Sequence, residues 1–125
     1  MADLNGVLKN VVEDVDGAVG AAVVDLGTGL LLGTAHSVPY FTQSYLDAVA
    51  ASAVEMFRGK TVSTVEKLLS SARGEQIQKS IKEIQMTTDN TYHFMLIHPN
   101  KPDALIVLIT TKKANPAARL RHFTV

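Results

Sequence analysis

The sequence predicts an α+β protein in which helices flank one five-stranded antiparallel sheet. Apolar side chains recur at helical spacing in three stretches, residues 3–15, 40–58 and 60–73. Five shorter apolar, β-prone runs occupy residues 18–25, 30–36, 80–88, 91–98 and 104–111. Because the links between consecutive strands are short, we expect antiparallel neighbours. The predicted order is α-β-β-α-(α)-β-β-β-α, in a single domain over residues 1–125.

The composition excludes several classes of protein. The chain of 125 residues has the length of one ordinary domain, and its apolar fraction of 46% argues against disorder. It contains no cysteine, which excludes disulfides, cysteine-ligated zinc and a thiol nucleophile. No apolar run has the length of a membrane span, and the first residues lack a basic-then-apolar signal pattern. We therefore expect a cytoplasmic protein without membrane insertion.

The charges sum to zero but are unevenly distributed. Residues 1–57 hold one basic and seven acidic side chains, whereas residues 58–125 hold eleven basic and five acidic ones. The basic residues are dispersed over several elements, and the chain has no tryptophan. Nucleic-acid-binding surfaces carry denser basic charge with interleaved aromatic side chains. We therefore expect a protein partner, which such an asymmetry can help to orient, and no nucleic acid.

The first helix and the first two strands have clear local signals. Asp3 is placed to cap the helix over residues 3–15, and Gly17 is placed to stop it. The linker Leu26-Gly27-Thr28-Gly29 then predicts a hairpin between the next two strands. These glycines do not form a phosphate-binding loop, because neither a Lys-Ser/Thr pair nor a helix follows them.

The central helix, residues 40–58, has two faces without long cationic side chains. One face carries the spacing of a buried surface: Leu46, Val49, Ala50, Ala53, Val54 and Phe57. The other face carries small or uncharged residues and one glutamate: Tyr45, Ala48, Ala51, Ser52 and Glu55. Two interpretations remain open. Either the second face binds a partner subunit, which makes these five residues the dimer interface, or the helix is buried within a monomer.

The remaining elements follow from turn and capping residues. Gly59 and Gly74 bound a second helix over residues 60–73, in which Ser63 and Glu66 have the spacing of a capping box. Val62, Val65, Leu68, Leu69 and Ala72 give this helix an apolar stripe, and we expect it to be partly exposed. The last strand, residues 104–111, is almost wholly apolar and is predicted to be central in the sheet. Asn115 and Pro116 begin a short helix over residues 116–124.

The chain resembles the roadblock/dynein light chain family, in its bacterial, stand-alone form. Three features carry the resemblance: the small-residue stretch 16–25 with its glycine turn at 27–29, the alanine-rich central helix, and three strands that end in an apolar one. The resemblance implies a profilin-like fold and a non-enzymatic module without cofactor or shared catalytic residues. It also implies dimers formed through the central helix and an adjacent strand, and a role as scaffold or regulator of small Ras-like GTPases. The segment over residues 60–78 is longer than the family usually has.

Enzymatic and metal-binding alternatives have weak support. His93 and His98 differ in strand parity and so point to opposite faces, and no metal-ligand motif is present. Asp25 and His36 lie across the predicted hairpin and can approach each other, with Ser37 beside His36, but no nucleophile elbow accompanies them. Arg58 and Arg73 fit better as cations at helix C-termini than as arginine fingers.

Three functional hypotheses follow. The first is a homodimeric interaction module that serves a small GTPase. The alternative is a small-molecule-binding sensor domain of profilin/PAS-like architecture, whose pocket would be formed by Tyr92, Phe94 and His98 together with Tyr40. The third is a small hydrolase or isomerase, supported only by the proximity of Asp25, His36 and Ser37.

Overall fold

The computed structural model describes residues 3–112. The helices in that range are α1 (Leu4–Asp14), α2 (Gln43–Arg58) and α3 (Lys60–Arg73). The strands are β1 (Ala18–Asp25), β2 (Leu31–His36), β3 (Glu83–Thr87), β4 (Thr91–His98) and β5 (Lys101–Thr111). The helix predicted over residues 116–124 lies outside the described residues.

The five strands form one sheet in the order β2-β1-β5-β4-β3, and every neighbouring pair is antiparallel. The predicted α+β class and the central position of the last strand are confirmed. Side chains of β5 are buried on both faces of the sheet, with Leu105 and Val107 on one side and Leu108 on the other. The β1–β2 hairpin is thus joined to β4 and β3 through the apolar strand β5, which pairs with β1 on one side and β4 on the other.

The helices cover the two faces of this sheet. Ala50, Ala53 and Phe57 of α2 pack on one face, in a core shared with Val24 and Val107. On the other face, α1 packs against β1 and β2. The second core comprises Leu8, Val15, Ala21, Phe94 and Leu108. As predicted, Asp3 caps α1, and its carboxylate accepts a hydrogen bond from the Asn5 backbone N–H at 3.2 Å.

The central helix begins at Gln43, three residues later than predicted. Thr42 is its N-cap, and the Thr42 hydroxyl accepts a hydrogen bond from the Tyr45 N–H at 3.3 Å. Phe41 precedes the helix and is buried in the core beside Gly20. A Cβ at Gly20 would lie 2.6 Å from the Phe41 ring, so the small residue in β1 makes room for the aromatic one.

Gly59 ends α2 as predicted and also precedes the first residue of α3. A side chain at this position would collide with the backbone carbonyl of Glu55, so the close approach of the two helices requires glycine. The predicted capping box is wrong. Because α3 begins at Lys60, Ser63 lies inside the helix and no side chain caps its N-terminus. Glu66 instead accepts hydrogen bonds from the backbone N–H and the hydroxyl of Ser80.

Two strand boundaries also differ from the prediction. The third strand begins at Glu83 rather than at Ser80, because Ser80 is bonded to Glu66 of α3. The fifth strand begins at Lys101 rather than at Ala104, so that Pro99 and Asn100 alone connect β4 to β5. No helix in the described range is long and apolar enough to cross a membrane.

Candidate protein-interaction surface

The outer face of α2 is the predicted dimer face, and all five of its predicted residues are exposed. They are Tyr45, Ala48, Ala51, Ser52 and Glu55. Leu46, Ala50, Ala53 and Phe57 are buried on the opposite side of the helix, as their spacing predicted. The interpretation of α2 as a helix buried all round within a monomer is therefore wrong. The segment that follows it, α3, does not cover this face.

Tyr45 is held at the N-terminal end of this face by aromatic packing. Its ring stacks on the buried Phe41 ring with the centroids 4.8 Å apart and the planes inclined by 20°. Tyr40 packs edge-on against the same Phe41 ring at 5.3 Å. Aromatic side chains that are already ordered lose little conformational entropy on binding, which makes Tyr45 a suitable anchor for a partner.

A groove of about 390 Å³ lies between α2 and the β3–β4 edge of the sheet. Its walls are mostly apolar and include three methionines, Met56, Met86 and Met95. Methionine side chains adapt to irregular surfaces, so the groove can accommodate a packed partner. The α2 face and the groove share Tyr45, Ala48 and Ser52, and together they form one continuous surface, which we call the α2 surface.

His93 is the one side chain lining this groove whose type ordinarily titrates near neutral pH. Burial lowers the pKa of the His93 imidazole below its ordinary value. Its Nε2 atom lies 3.1 Å from the Thr91 hydroxyl. The neutral ring is therefore favoured near pH 7, and the groove carries no formal charge that a partner would have to desolvate.

The two edges of the sheet differ in how they are protected. On β2, the outward N–H of Thr34 donates to the Asn5 side chain at 2.9 Å, so α1 closes part of this edge. Beside β3, the Ile97 N–H donates to the Lys82 carbonyl and the Thr88 N–H donates to the Thr91 carbonyl. These two bonds show which β3 positions form hydrogen bonds to β4. Glu83, Gln85 and Thr87 alternate with the β3 residues that form hydrogen bonds to β4. Their backbone N–H and C=O groups therefore point to the free edge. That edge borders the α2 surface.

The two arginines proposed as alternatives for GTPase contact are engaged within the chain. The Arg58 Nη1 atom lies 2.9 Å from the Asp103 carboxylate, and its Nη2 donates to the Pro102 carbonyl at 2.6 Å. This pairing lowers the pKa of the Asp103 carboxyl. Arg73 pairs with Glu75 at 2.8 Å. Both arginines lie in the last turn of their helices, in agreement with the prediction that they are C-terminal cations.

The proposed hydrolytic trio does not assemble. His36 pairs with Gly20 across the β1–β2 ladder, whereas Asp25 lies five residues further along β1, beside the turn. At about 3.3 Å per residue, the two positions are separated by roughly 16 Å. The Asp25 carboxylate accepts hydrogen bonds from the Gly27 N–H and the Thr28 hydroxyl instead, as is usual for a turn aspartate.

The proposed small-molecule pocket does not form either. Tyr92 and Phe94 belong to the core on the α1 side of the sheet, with their ring centroids 5.9 Å apart. Tyr40 lies beside Phe41, which belongs to the core on the α2 side. The four side chains therefore do not converge. His93 and His98 line different grooves, one beside α2 and one beside α1, as their strand parity predicted.

Metal coordination has no candidate in the part of the chain that the structure describes. Residues 3–112 contain no group of three or more histidine, aspartate or glutamate side chains close enough to hold an ion. The α2 surface is the candidate site that the described residues support best, because it is exposed and mostly apolar.

Solved structures with the same fold identify the class to which this architecture belongs. A roadblock/LC7 domain from Streptomyces avermitilis superposes with a TM-score of 0.69 at 14% identity, covering 98% of this chain and 90% of that one. MglB from Myxococcus xanthus superposes with a TM-score of 0.64 at 15% identity, covering 94% and 85%. The gliding protein MglB from Thermus thermophilus gives 0.64 at 15% identity, covering 99% and 85%.

The chain thus has the roadblock fold, and the resemblance inferred from the sequence is confirmed at that level. No family model matches the sequence, and no curated protein matches it. These three neighbours come from bacteria, and each aligns over most of its own length. At these identities the likeness defines the architecture alone.

Proposed function

We propose that this protein is a non-enzymatic, dimeric interaction module of the cytoplasm that serves as scaffold or regulator of a small Ras-like GTPase. The α2 surface carries the proposal. It is exposed, apolar or uncharged over most of its area, and bordered by a free strand edge. Exposed surfaces of this kind on soluble proteins mark sites of association.

The geometry of the α2 surface suits a second copy of the same chain. Ala48, Ala51 and Ser52 are small, so another helix backbone can approach α2 closely. The outward backbone groups of β3 can pair with the same strand of a partner, which would continue the sheet across the twofold axis. Asp47 and Glu55 are the acidic residues on this part of α2, and Asp47 already accepts a hydrogen bond from Gln43 at 2.8 Å. Helix and strand together offer more area than either element offers alone.

The GTPase part of the proposal rests on the roadblock resemblance. Family members with this architecture act as scaffolds or as regulators of Ras-like GTPases, and the Asp25, His36 and Ser37 trio considered for hydrolysis does not assemble in this chain. Arg58 and Arg73 are paired within the chain, which argues against an arginine finger from either position.

A nucleotide-dependent pull-down tests this function. Wild-type protein is immobilised and exposed to lysate of the source cell containing GDP or a non-hydrolysable GTP analogue, alongside Ala51→Glu. We expect a Ras-sized GTPase to be retained in one nucleotide state by the wild type and to be reduced with Ala51→Glu. Asn10→Glu, on the exposed side of α1, is the matched control and should retain the GTPase. If no GTPase is retained in either nucleotide state, the GTPase role is wrong.

A further inference from the structure

Helix α3 has its polar and apolar sides reversed relative to an ordinary surface helix. Its one buried side chain is Glu66, with 8% of its surface exposed. Three of its four large apolar side chains are turned outward: Val65, Leu68 and Leu69 are 50%, 67% and 44% exposed, and Val62 is half-buried. Ala72 is exposed as well. The four exposed apolar residues have the spacing i, i+3, i+4, i+7 of a helical contact face, which we call the α3 stripe.

The polar side of α3 is held inward by bonds to the segment that follows the helix. The Glu66 carboxylate accepts from the Ser80 N–H at 2.8 Å and from the Ser80 hydroxyl. The Ser70 hydroxyl accepts from the Ile77 N–H at 2.8 Å. Because these bonds fix the rotation of the helix about its own axis, the α3 stripe cannot turn toward the sheet without breaking them. Its exposure is therefore built into the fold.

The charges of α3 lie away from the stripe. At about 100° per residue, Lys60 and Lys67 are roughly 130° and 150° around the helix from the centre of the stripe. Thr64 and Ser71 form its rim on that side, and Thr61 lies in line with the stripe at its N-terminal end. On the other side Arg73 is paired with Glu75. A stripe built to meet an anionic lipid surface would carry its lysines at the rim, where they reach the head groups. A rim whose one exposed cation, Arg73, is neutralised by Glu75 instead lets two copies of the same stripe meet without net like-charge repulsion.

The size of the stripe limits what it can do alone. Four such side chains bury on the order of 600 Å² when two copies meet, which is about half of what a stable interface needs. A dimer formed through the α2 surface presents the stripe twice, and two such contacts double the area. We infer that the α3 stripe is a second self-association surface, whose occupant is the α3 stripe of another copy, and that it joins two dimers into a tetramer. This inference rests on the dimer proposed above.

Sedimentation of the wild-type chain at rising concentration tests the inference. We expect dimers at low concentration and tetramers at high concentration. Leu68→Lys should leave the dimer intact and weaken the dimer–tetramer equilibrium by about tenfold or more, because it places a charge in an apolar contact. Lys67→Ser, on the far side of the helix, is the matched control and should leave both equilibria unchanged. Because Leu68 is largely exposed, its substitution should not impair folding.

A cross-linking experiment gives an independent result, because the chain has no native cysteine. Leu68→Cys and Leu69→Cys should form disulfide-linked pairs under mild oxidation, and Lys67→Cys should not. A wild type that stays dimeric at every concentration, or equal cross-linking at all three positions, would overturn the inference and leave the dimer standing. A dimer that dissociates with Leu68→Lys would also overturn it, since α3 would then belong to the first interface. A wild type that is always monomeric contradicts the dimer itself.

Discussion

Glu66 is the only charged side chain buried among residues 3–112, and it connects α3 to the segment that precedes β3. Its hydrogen bonds from Ser80 lower the pKa of the Glu66 carboxyl, because they stabilise the ionised form. A carboxyl whose pKa is lower in the folded than in the unfolded chain stabilises the fold at any pH above its pKa in the unfolded chain, which is about 4.3. That stabilisation is lost as the pH falls through the lower, folded pKa.

Substitution of Glu66 by glutamine tests this connection. Glu66→Gln keeps the shape but removes the charge, and we expect the free energy of unfolding at pH 7 to fall by about 1–2 kcal/mol. The difference from the wild type should shrink below about pH 4, as the wild-type carboxyl becomes protonated. Urea unfolding at both pH values, at one fixed protein concentration, measures it. Glu75→Gln, whose partner Arg73 is on the surface, should change stability by less than about 0.5 kcal/mol.

At the scale of elements, the α2–α3 junction depends on a single glycine. Gly59 lies so close to the Glu55 carbonyl that an added Cβ would displace the end of α2 or the start of α3. Since Arg58 in the same turn is tied to Asp103 and Pro102, the end of α2 cannot move freely to relieve the collision. The junction therefore fixes the direction in which α3 leaves the sheet.

The substitution Gly59→Ala should lower the free energy of unfolding by about 2–3 kcal/mol, as expected when backbone has to shift in a packed region. Gly6→Ala is the matched control. Gly6 lies within α1, where a Cβ meets no atom closer than 3.4 Å. There alanine should be neutral or stabilise the protein by about 0.5 kcal/mol through its helix propensity. Equal effects of the two substitutions in thermal or urea unfolding would contradict the role given to Gly59.

The free edge of β3 can be tested through its backbone. Gln85→Pro removes an N–H that points away from β4, so the strand can still pair within the chain. We expect this substitution to weaken or abolish the dimer in sedimentation while circular dichroism still reports a folded protein. Gln85→Ala keeps the N–H and should remain dimeric. If Gln85→Pro associates as strongly as the wild type, the strand edge does not take part in the interface.

Much of the element map could be predicted because it depends on local patterns. Periodicity and turn residues located β1 and the end of α2 to the residue. Features that depend on distant contacts could not be predicted. Phe41 lies outside the helix because Gly20 makes room for its ring in the core. Glu66 binds Ser80, fourteen residues away, instead of capping α3.

The α2 surface could be predicted only in part. The helical spacing identified the five residues of the outer α2 face, but the groove beside them was missed. Met86, His93 and Met95 join α2 there only because β3 pairs with β4 in a register that places them on one face. The alternation of side chains along each strand indicates which residues share a face. To place that face beside α2, however, the order of the strands in the sheet has to be known. The outward orientation of the α3 stripe likewise follows from bonds made by the polar side of the helix, which its apolar spacing does not reveal.

At the scale of the whole molecule, this chain combines the roadblock fold with a long exposed surface on its central helix. One side of α2 completes the core, and the other side is left smooth, bordered by a methionine-lined groove and an open strand edge. The fold therefore presents the same helix to the core and to solvent. Association of two copies would cover the second side and would stabilise the fold by mass action.

The molar mass of the protein in solution tests this account most directly. Sedimentation equilibrium at low micromolar concentration should give twice the 13.5 kDa of one chain for the wild type and for Asn10→Glu. Ala51→Glu and Ala48→Arg should each give the mass of one chain, because each would place a charge in the centre of the proposed helix contact. A wild type with the mass of a single chain, or α2 variants that remain dimeric, would contradict the claim that the outer face of α2 binds a second copy.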